Sequence, residues 1–190
     1  MPELIEFDTD RLCLRQWRAQ DREPFAALNA DPKVMEFYPA PLPRAASDAM
    51  ADRCESLIVE RGWGFWAVET KKTQEYIGFI GLHTPAAELP FSPCIEIGWR
   101  LAQHHWHKGY ATEAARGALR VGFEILDLHE IVSFTSVRNL RSRAVMERLG
   151  MQEAAETFEH PSVPVGNALR QHCLYRLSHA QWRSSQHDGT

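Results

Sequence analysis

The run Trp106, His107, Lys108, Gly109, Tyr110, Ala111, Thr112 has the makings of an anion site. Glycine lets the main chain come close to a ligand. A helix opening directly after it offers unpaired N–H groups and a partial positive charge, which suits a pyrophosphate. Lys108 adds a full charge. The same residues also read as an ordinary glycine turn. Neither a Walker pattern nor G-x-G-x-x-G occurs, so a nucleoside triphosphate or a nicotinamide dinucleotide is not expected. Further on, Asn139 stands where a second helix should open and can cap it. Arg138, Arg141, Arg143 and Arg148 make that helix basic, either as a solvated face or to meet a phosphate. His104, His105 and His107 raise the question of a metal. A closed structural zinc site takes four ligands, and no suitably spaced Cys or Asp set accompanies these histidines, so no metal is expected.

The elements that must position these residues follow from the hydrophobic period. Residues 11–15 alternate as a strand. Residues 21–30 and 47–61 repeat at helical spacing, the second ending at Gly62, with prolines 39, 41 and 43 marking a loop between them. Residues 63–69, 76–82 and 94–101 read as strands. After the 103–108 loop, Ala111, Ala115, Ala118, Gly122 and Ile125 recur every three or four residues, a narrow small-residue helix face suited to close packing on a sheet. A strand at 131–137, a helix from Asn139 to Leu149 and strands at 151–158 and 170–177 complete the count. The fold class expected is α/β (α+β): a mixed, mostly antiparallel seven-stranded sheet with flanking helices. Short turns make the early strands antiparallel, and the helical crossover after Gly109 demands one parallel pair. Residues 1–183 form one domain in this reading, and 184–190 a flexible tail.

Composition narrows the possibilities. The chain has 190 residues, 44% apolar and 24% charged, as ordinary globular domains do. A net charge of −4 gives no basic excess for nucleic acid. No apolar run approaches the ~18–20 residues that span a bilayer, so no membrane partner is expected. Residues 1–10 are acidic and mixed, unlike a secretory signal. Cys13, Cys54, Cys94 and Cys173 are far apart and form no C-x-x-C, so free thiols and a cytoplasmic setting are expected.

Two patterns carry a family resemblance. Trp-x-Lys-Gly-Tyr-Ala-Thr-Glu-Ala at 106–114 and Asn-x-x-Ser-x-x-x-Met-x-x-x-Gly at 139–150, in that order, resemble the GNAT acetyltransferase superfamily in its RimJ/RimL-like branch. The likeness covers most of the chain, from Asp10-Arg11-Leu12 to 174–177. It implies acetyl-coenzyme A as co-substrate and an amine as acceptor, in a monomer or homodimer. The loop from Trp106 to Thr112 would hold the pyrophosphate through its main chain. Trp106 departs from the superfamily's Gln or Arg there, mildly, because main-chain atoms make the contacts. The strand matching Glu96–Leu101 would carry a bulge and splay from its parallel neighbour, with pantetheine pairing near Trp99, Arg100 and Leu101 in the gap. Asn139 would touch the coenzyme, one of the four arginines around the second helix would meet its ribose 3′-phosphate, and Arg143 is counted among the coenzyme-binding residues.

For the chemistry, Glu96 is the candidate base, acting through a water from a strand that should face the acceptor groove; it reads equally as a solvated strand carboxylate or a partner of Arg100. Many relatives use a tyrosine to protonate the leaving thiolate. Met146 occupies that position here, and the role passes to Ser142. A main-chain N–H near residues 97–99 would meet the oxyanion. Tyr38, Trp63, Phe65, Trp66, His160 and His172 are candidates to line the acceptor site, with core packing the default for the aromatic trio 63, 65 and 66. The acceptor is a protein N-terminal α-amine or a small-molecule amine. Detoxification of an amine-bearing antibiotic or a polyamine is the alternative, with the polyamine favoured by an acidic groove that involves, for instance, Glu36, Asp48, Asp52 or Glu55. A non-catalytic acyl-CoA sensor is the other.

Overall fold

The structure, a computed structural model, describes residues 2–187. The chain runs β1 (Phe7–Asp8), β2 (Leu12–Arg15), α1 (Arg22–Ala30), α2 (Arg44–Arg61), β3 (Phe65–Thr70), β4 (Tyr76–His83), β5 (Glu96–Leu101), α3 (Tyr110–Arg120), β6 (Glu130–Ser136), α4 (Leu140–Arg148), β7 (Gln152–Glu153), β8 (Phe158–Glu159), β9 (Gln171–Ser178) and α5 (His179–His187). The sheet order is β1-β2-β3-β4-β5-β6-β9-β7, with β8 also on β9. Every pairing is antiparallel except β5 with β6. The expected mixed sheet is therefore present, and α3 is the crossover that makes the parallel pair.

Helices cover both faces. On β4, Phe79 meets Phe25 of α1, with ring centroids 5.9 Å apart. Leu82, on the opposite pleat, lies under the end of the α3 crossover, where a Cβ on Gly122 would stand 3.0 Å from it and 2.6 Å from Ile131. That glycine permits the close approach its sequence period suggested. Ala114, Ala115 and Ala118 are fully buried on the same helix.

Four details differ from expectation. Nine strands are present among the described residues, not seven. The extra count comes from β1 and from division of the 151–158 strand into β7 and β8, each two residues long. The register shift lies between β3 and β4 at Val68/Glu69, whereas β5 pairs β4 without a bulge. The crossover helix ends in a π turn at Val121–Ile125. The segment expected to fray from residue 184 is helical as far as His187, anchored by Trp182, which is 4% exposed and stacks on Phe123. Residues 188–190 of that call lie outside the described residues. The four cysteines are free, as expected.

Candidate active site

β5 and β6 pair at one position, Glu96 opposite Val132, where the Val132 N–H donates to the Ile95 carbonyl at 2.9 Å. The Ser133 hydroxyl then donates to the Ile97 carbonyl at 2.9 Å, and the Trp106 indole to the Leu101 carbonyl at 2.8 Å. Carbonyls at 95, 97 and 101 thus all point toward the β6 side. Main-chain groups alternate sides along a strand, so Trp99 turns its N–H and C=O the same way, into the gap. The splay is as expected. At Leu101 the carbonyl already accepts from the Trp106 indole, which leaves its N–H facing the gap.

A cavity of about 970 Å³ opens from this gap. That is near the top of the ~300–1,000 Å³ common for ligand pockets. Its floor is the start of α3. Gly109 caps the helix in the left-handed region, φ 79°, where a side chain would be strained. No side chain caps the helix, and Tyr110, Ala111 and Thr112 line the cavity with first-turn N–H groups that have no intrahelical acceptor. Trp99, Arg100, Leu101, Trp106, His107, Gly109 and Asn139 also line it. Lys108 and Arg143 do not. Lys108 offers its carbonyl to Arg11 at 2.9 Å. Arg143 turns outward, donating to Tyr175 Oη at 3.3 Å and to both Glu153 oxygens at 3.0 and 3.1 Å. Arg116, Arg141 and Arg148 supply the positive wall instead.

Arg100 borders the cavity, but its charge is committed elsewhere. Its Nη1 donates to Asn29 Oδ1 at 2.5 Å, and its guanidinium lies 4.2 Å from the Tyr38 ring centroid. It is also not the partner of Glu96. Arg11 and Glu113 are participants the sequence reading missed. Arg11 Nε pairs with Glu113 Oε2 at 2.6 Å and its guanidinium covers the Tyr110 ring, tying the first strands to the glycine loop. Their partners are about a hundred residues apart, and no local pattern announces them.

A second cavity, about 270 Å³, meets the first along Tyr38, Trp99, Asn139 and Ser142. Glu96, Phe134, Met146, His160 and His172 also line it. The two histidine rings are 4.8 Å apart and pack with Phe134 and Phe158. Burial pushes His172 down to about 4 and lowers His160 as well, so both rings are neutral at physiological pH. Trp66 is a correction: it is fully buried, donates to the Ile5 carbonyl at 2.7 Å and meets Phe7 edge-on. Phe65 packs between Phe79 and His83, and neither it nor Trp63 lines either cavity.

The family profile described as Acetyltransferase (GNAT) domain matches residues 11–152. This chain belongs to the GNAT acetyltransferase family. Among curated relatives, the uncharacterized N-acetyltransferase YoaA of Bacillus subtilis is 30% identical over 148 residues, 77% of this chain and 82% of that one. The FsC-acetyl coenzyme A-N(2)-transacetylase of Aspergillus fumigatus is 28% identical over 187 residues, 94% of this chain and 78% of that one. The crystal structure of a GNAT-family acetyltransferase from Bacillus anthracis superposes with a TM-score of 0.77 at 24% identity, covering 93% of this chain and 99% of that one. This GNAT protein is thus an acyltransferase, and its family supports acetyl transfer to an amine.

Where the two cavities of this acetyltransferase meet, donors and acceptors are already set. Asn139 Nδ2 donates to Ser142 Oγ at 3.0 Å and to Thr135 Oγ1 at 2.9 Å, while its Oδ1 caps α4 by accepting the Ser142 N–H at 3.2 Å. Because Ser142 Oγ accepts from an amide, its own proton is left to donate. Glu96 also lines the smaller cavity, with Oε2 2.7 Å from His83 Nε2. Burial raises its carboxyl above the usual range, with His83 pulling part of the way back. A raised carboxylate is a better proton acceptor near neutrality than an ordinary one.

Proposed function

We propose that this protein is an acetyl-coenzyme A-dependent N-acetyltransferase of the RimJ/RimL-like kind, passing the acetyl group directly to a primary amine in a ternary complex. The observation that carries this is the junction of the two cavities at Trp99, Asn139 and Ser142. The open first turn of α3 and the arginines 116, 141 and 148 suit the coenzyme's phosphates, and the splayed edge at Trp99 suits its amide-bearing arm. The relative named as an acetyl coenzyme A transacetylase supports the same donor.

In this reading the amine enters through the smaller cavity. Its nitrogen attacks the acetyl carbon as its proton passes through a water to Glu96. The Trp99 N–H donates to the oxygen that gains charge. The carbon–sulfur bond breaks, the Ser142 hydroxyl hands its proton to the departing thiolate, and the proton that the amine gave to Glu96 returns through water to restore the Ser142 hydroxyl. Ser142 thereby takes the role for which Met146, buried in the wall, has no proton.

The acceptor is an α-amine of a peptide N-terminus or a comparable small-molecule monoamine. At pH 7 an α-amine with pKa about 7.7–8.0 is roughly 10–20% neutral, and a lysine is below about 0.1%. The wall of the smaller cavity is aromatic and carries one carboxylate, Glu96. A polyamine would call for more. Glu36, Asp48, Asp52 and Glu55 do not supply it: each is ion-paired to Arg141, Arg44 or Arg22, and none lines either cavity. Four free thiols fit a cytoplasmic setting.

The test is thiol release from acetyl-coenzyme A with free-N-terminal peptides, N-terminally blocked lysine peptides, small monoamines and spermidine. Release with free α-amines and not with blocked peptides is expected. Preference for spermidine would favour the polyamine reading. Coenzyme binding with no turnover on any amine would make the protein a sensor.

A further inference from the structure

The turn Gln103–His105, which leads from β5 into the glycine loop, rests against Glu75 at the foot of β4. Glu75 Oε1 lies 3.3 Å from Nε2 of His104 and 3.3 Å from Nε2 of His105. One ligand atom from each of the three residues falls within 4.8 Å of the other two. The two imidazole centroids are 4.2 Å apart, so adjacent residues present their rings to one place.

His105 is the informative member. It is 6% exposed, and neither of its ring nitrogens has a hydrogen-bond partner. A buried polar group left in that condition is costly to the fold. Glu75 is near, but its oxygen stands outside the geometry of a bond to His105. The spacing suits a different occupant. Around a tetrahedral ion with bonds of about 2.0–2.1 Å, neighbouring ligand atoms are about 3.3–3.4 Å apart. Both Glu75-to-histidine distances have that value. The Glu75 and His104 side chains are 47% and 68% exposed, which leaves a side for a water as fourth ligand.

We infer that Glu75, His104 and His105 form a binding site for a divalent transition-metal ion, with Zn²⁺ as its occupant. Two imidazoles and one carboxylate suit zinc and its first-row neighbours, whereas Mg²⁺ and Ca²⁺ demand oxygen ligands. The three histidines 104, 105 and 107 looked insufficient in the sequence because the carboxylate arrives from 29 positions before His104. His107 is outside the cluster. The ion would join the start of β4 to the turn before Trp106. His105 also borders the large cavity, so the clamp would hold one end of the glycine loop.

The test uses tag-free full-length protein and Zn²⁺ titrated in competition with a chromophoric chelator. One ion per chain is expected. Glu75→Ala and His104→Ala, at exposed positions that leave the core intact, should each weaken binding at least about tenfold. His107→Ala and His160→Ala should leave it unchanged, and excess Mg²⁺ should not displace the ion. Co²⁺ in place of Zn²⁺ should give the strong visible bands of a low-coordinate site, lost in both ligand variants. Absence of binding by the unaltered protein overturns the proposal. So does binding undiminished in the Glu75→Ala, His104→Ala double variant, which would assign the ion to His160 and His172 or to a cysteine.

Discussion

Asn139 and Ser142 are bonded to each other twice: the Asn139 amide donates to the Ser142 hydroxyl oxygen at 3.0 Å and accepts the Ser142 main-chain N–H at 3.2 Å. One side chain therefore both starts α4 and aims the hydroxyl proton. Ser142→Ala should lower kcat by about 10²-fold or more with little change in acetyl-coenzyme A affinity, the range for a positioned proton donor. Asn139→Ala should lose activity as well and also cost about 1 kcal/mol of stability for the cap. Steady-state kinetics beside urea unfolding separate the two. An unchanged kcat in Ser142→Ala would mean that the thiolate leaves without its help.

Glu96 gives the pH dependence a sign. Its carboxyl is raised by burial, against the pull of His83. As a base it works only when ionised, so kcat/KM should fall on acidification at a pH above the ordinary glutamate value of about 4.3. Glu96→Gln should remove that limb and about 10²–10⁴ of the rate. The same raised pKa means the folded state holds its proton longer than the unfolded chain. Stability attributable to Glu96 thus declines as pH rises through the window, and Glu96→Gln should flatten that slope. A retained acid limb in the variant would assign it to the amine.

The elements and the candidate site residues were legible in the sequence to different depths for physical reasons. The α3 crossover carries a full helical period of small residues, and its glycine start is local, so both were readable. β1, β7 and β8 are two residues long and carry no period. α5 hid because Trp182 is its main buried anchor in a polar stretch. Arg141 and Arg143 are two positions apart on α4, about 200° around the helix, so they face nearly opposite ways. Periodicity says that only one can meet the cavity. Which one depends on how α4 rolls against the sheet, and Val145 and Met146 fix that by burial. Trp66 and Glu75 depend likewise on long-range pairing that no local pattern carries.

His172 predicts acid sensitivity of the acceptor wall. Burial holds its ring down at about 4, the Arg170 carbonyl pulling the other way and His160 adding to the depression. An unfolded histidine titrates near 6.5, so between about pH 6.5 and 4 the unfolded chain binds the extra proton. Stability should fall as pH drops through that window, by no more than roughly 3 kcal/mol from this residue. His160 is lowered too, by burial and then Arg170, and contributes with the same sign. Urea midpoints at pH 7 and pH 4.5 check it. His172→Phe, which can pack with Phe134 and Phe158, should narrow the difference, and an equal loss in both proteins would place the acid-sensitive group elsewhere.

Arg141 should matter to the coenzyme where Arg143 does not. Arg141 lines the large cavity, its guanidinium 4.5 Å from the Trp106 ring centroid and its Nη2 2.7 Å from Glu36 Oε2. It stands half exposed, free to trade the Glu36 carboxylate for a phosphate oxygen at small cost. Arg143 is engaged by Glu153, Tyr175 and the Val137 carbonyl. Arg141→Ala should therefore weaken coenzyme A binding roughly tenfold, as loss of a charge-assisted hydrogen bond does, and should lessen its salt dependence. Arg143→Ala should leave binding nearly unchanged while lowering the unfolding midpoint through α4 and β7. Calorimetric titration of both variants at two salt concentrations decides it: weaker binding in Arg143→Ala with normal binding in Arg141→Ala would return the phosphate to the face of α4 that here turns toward Glu153.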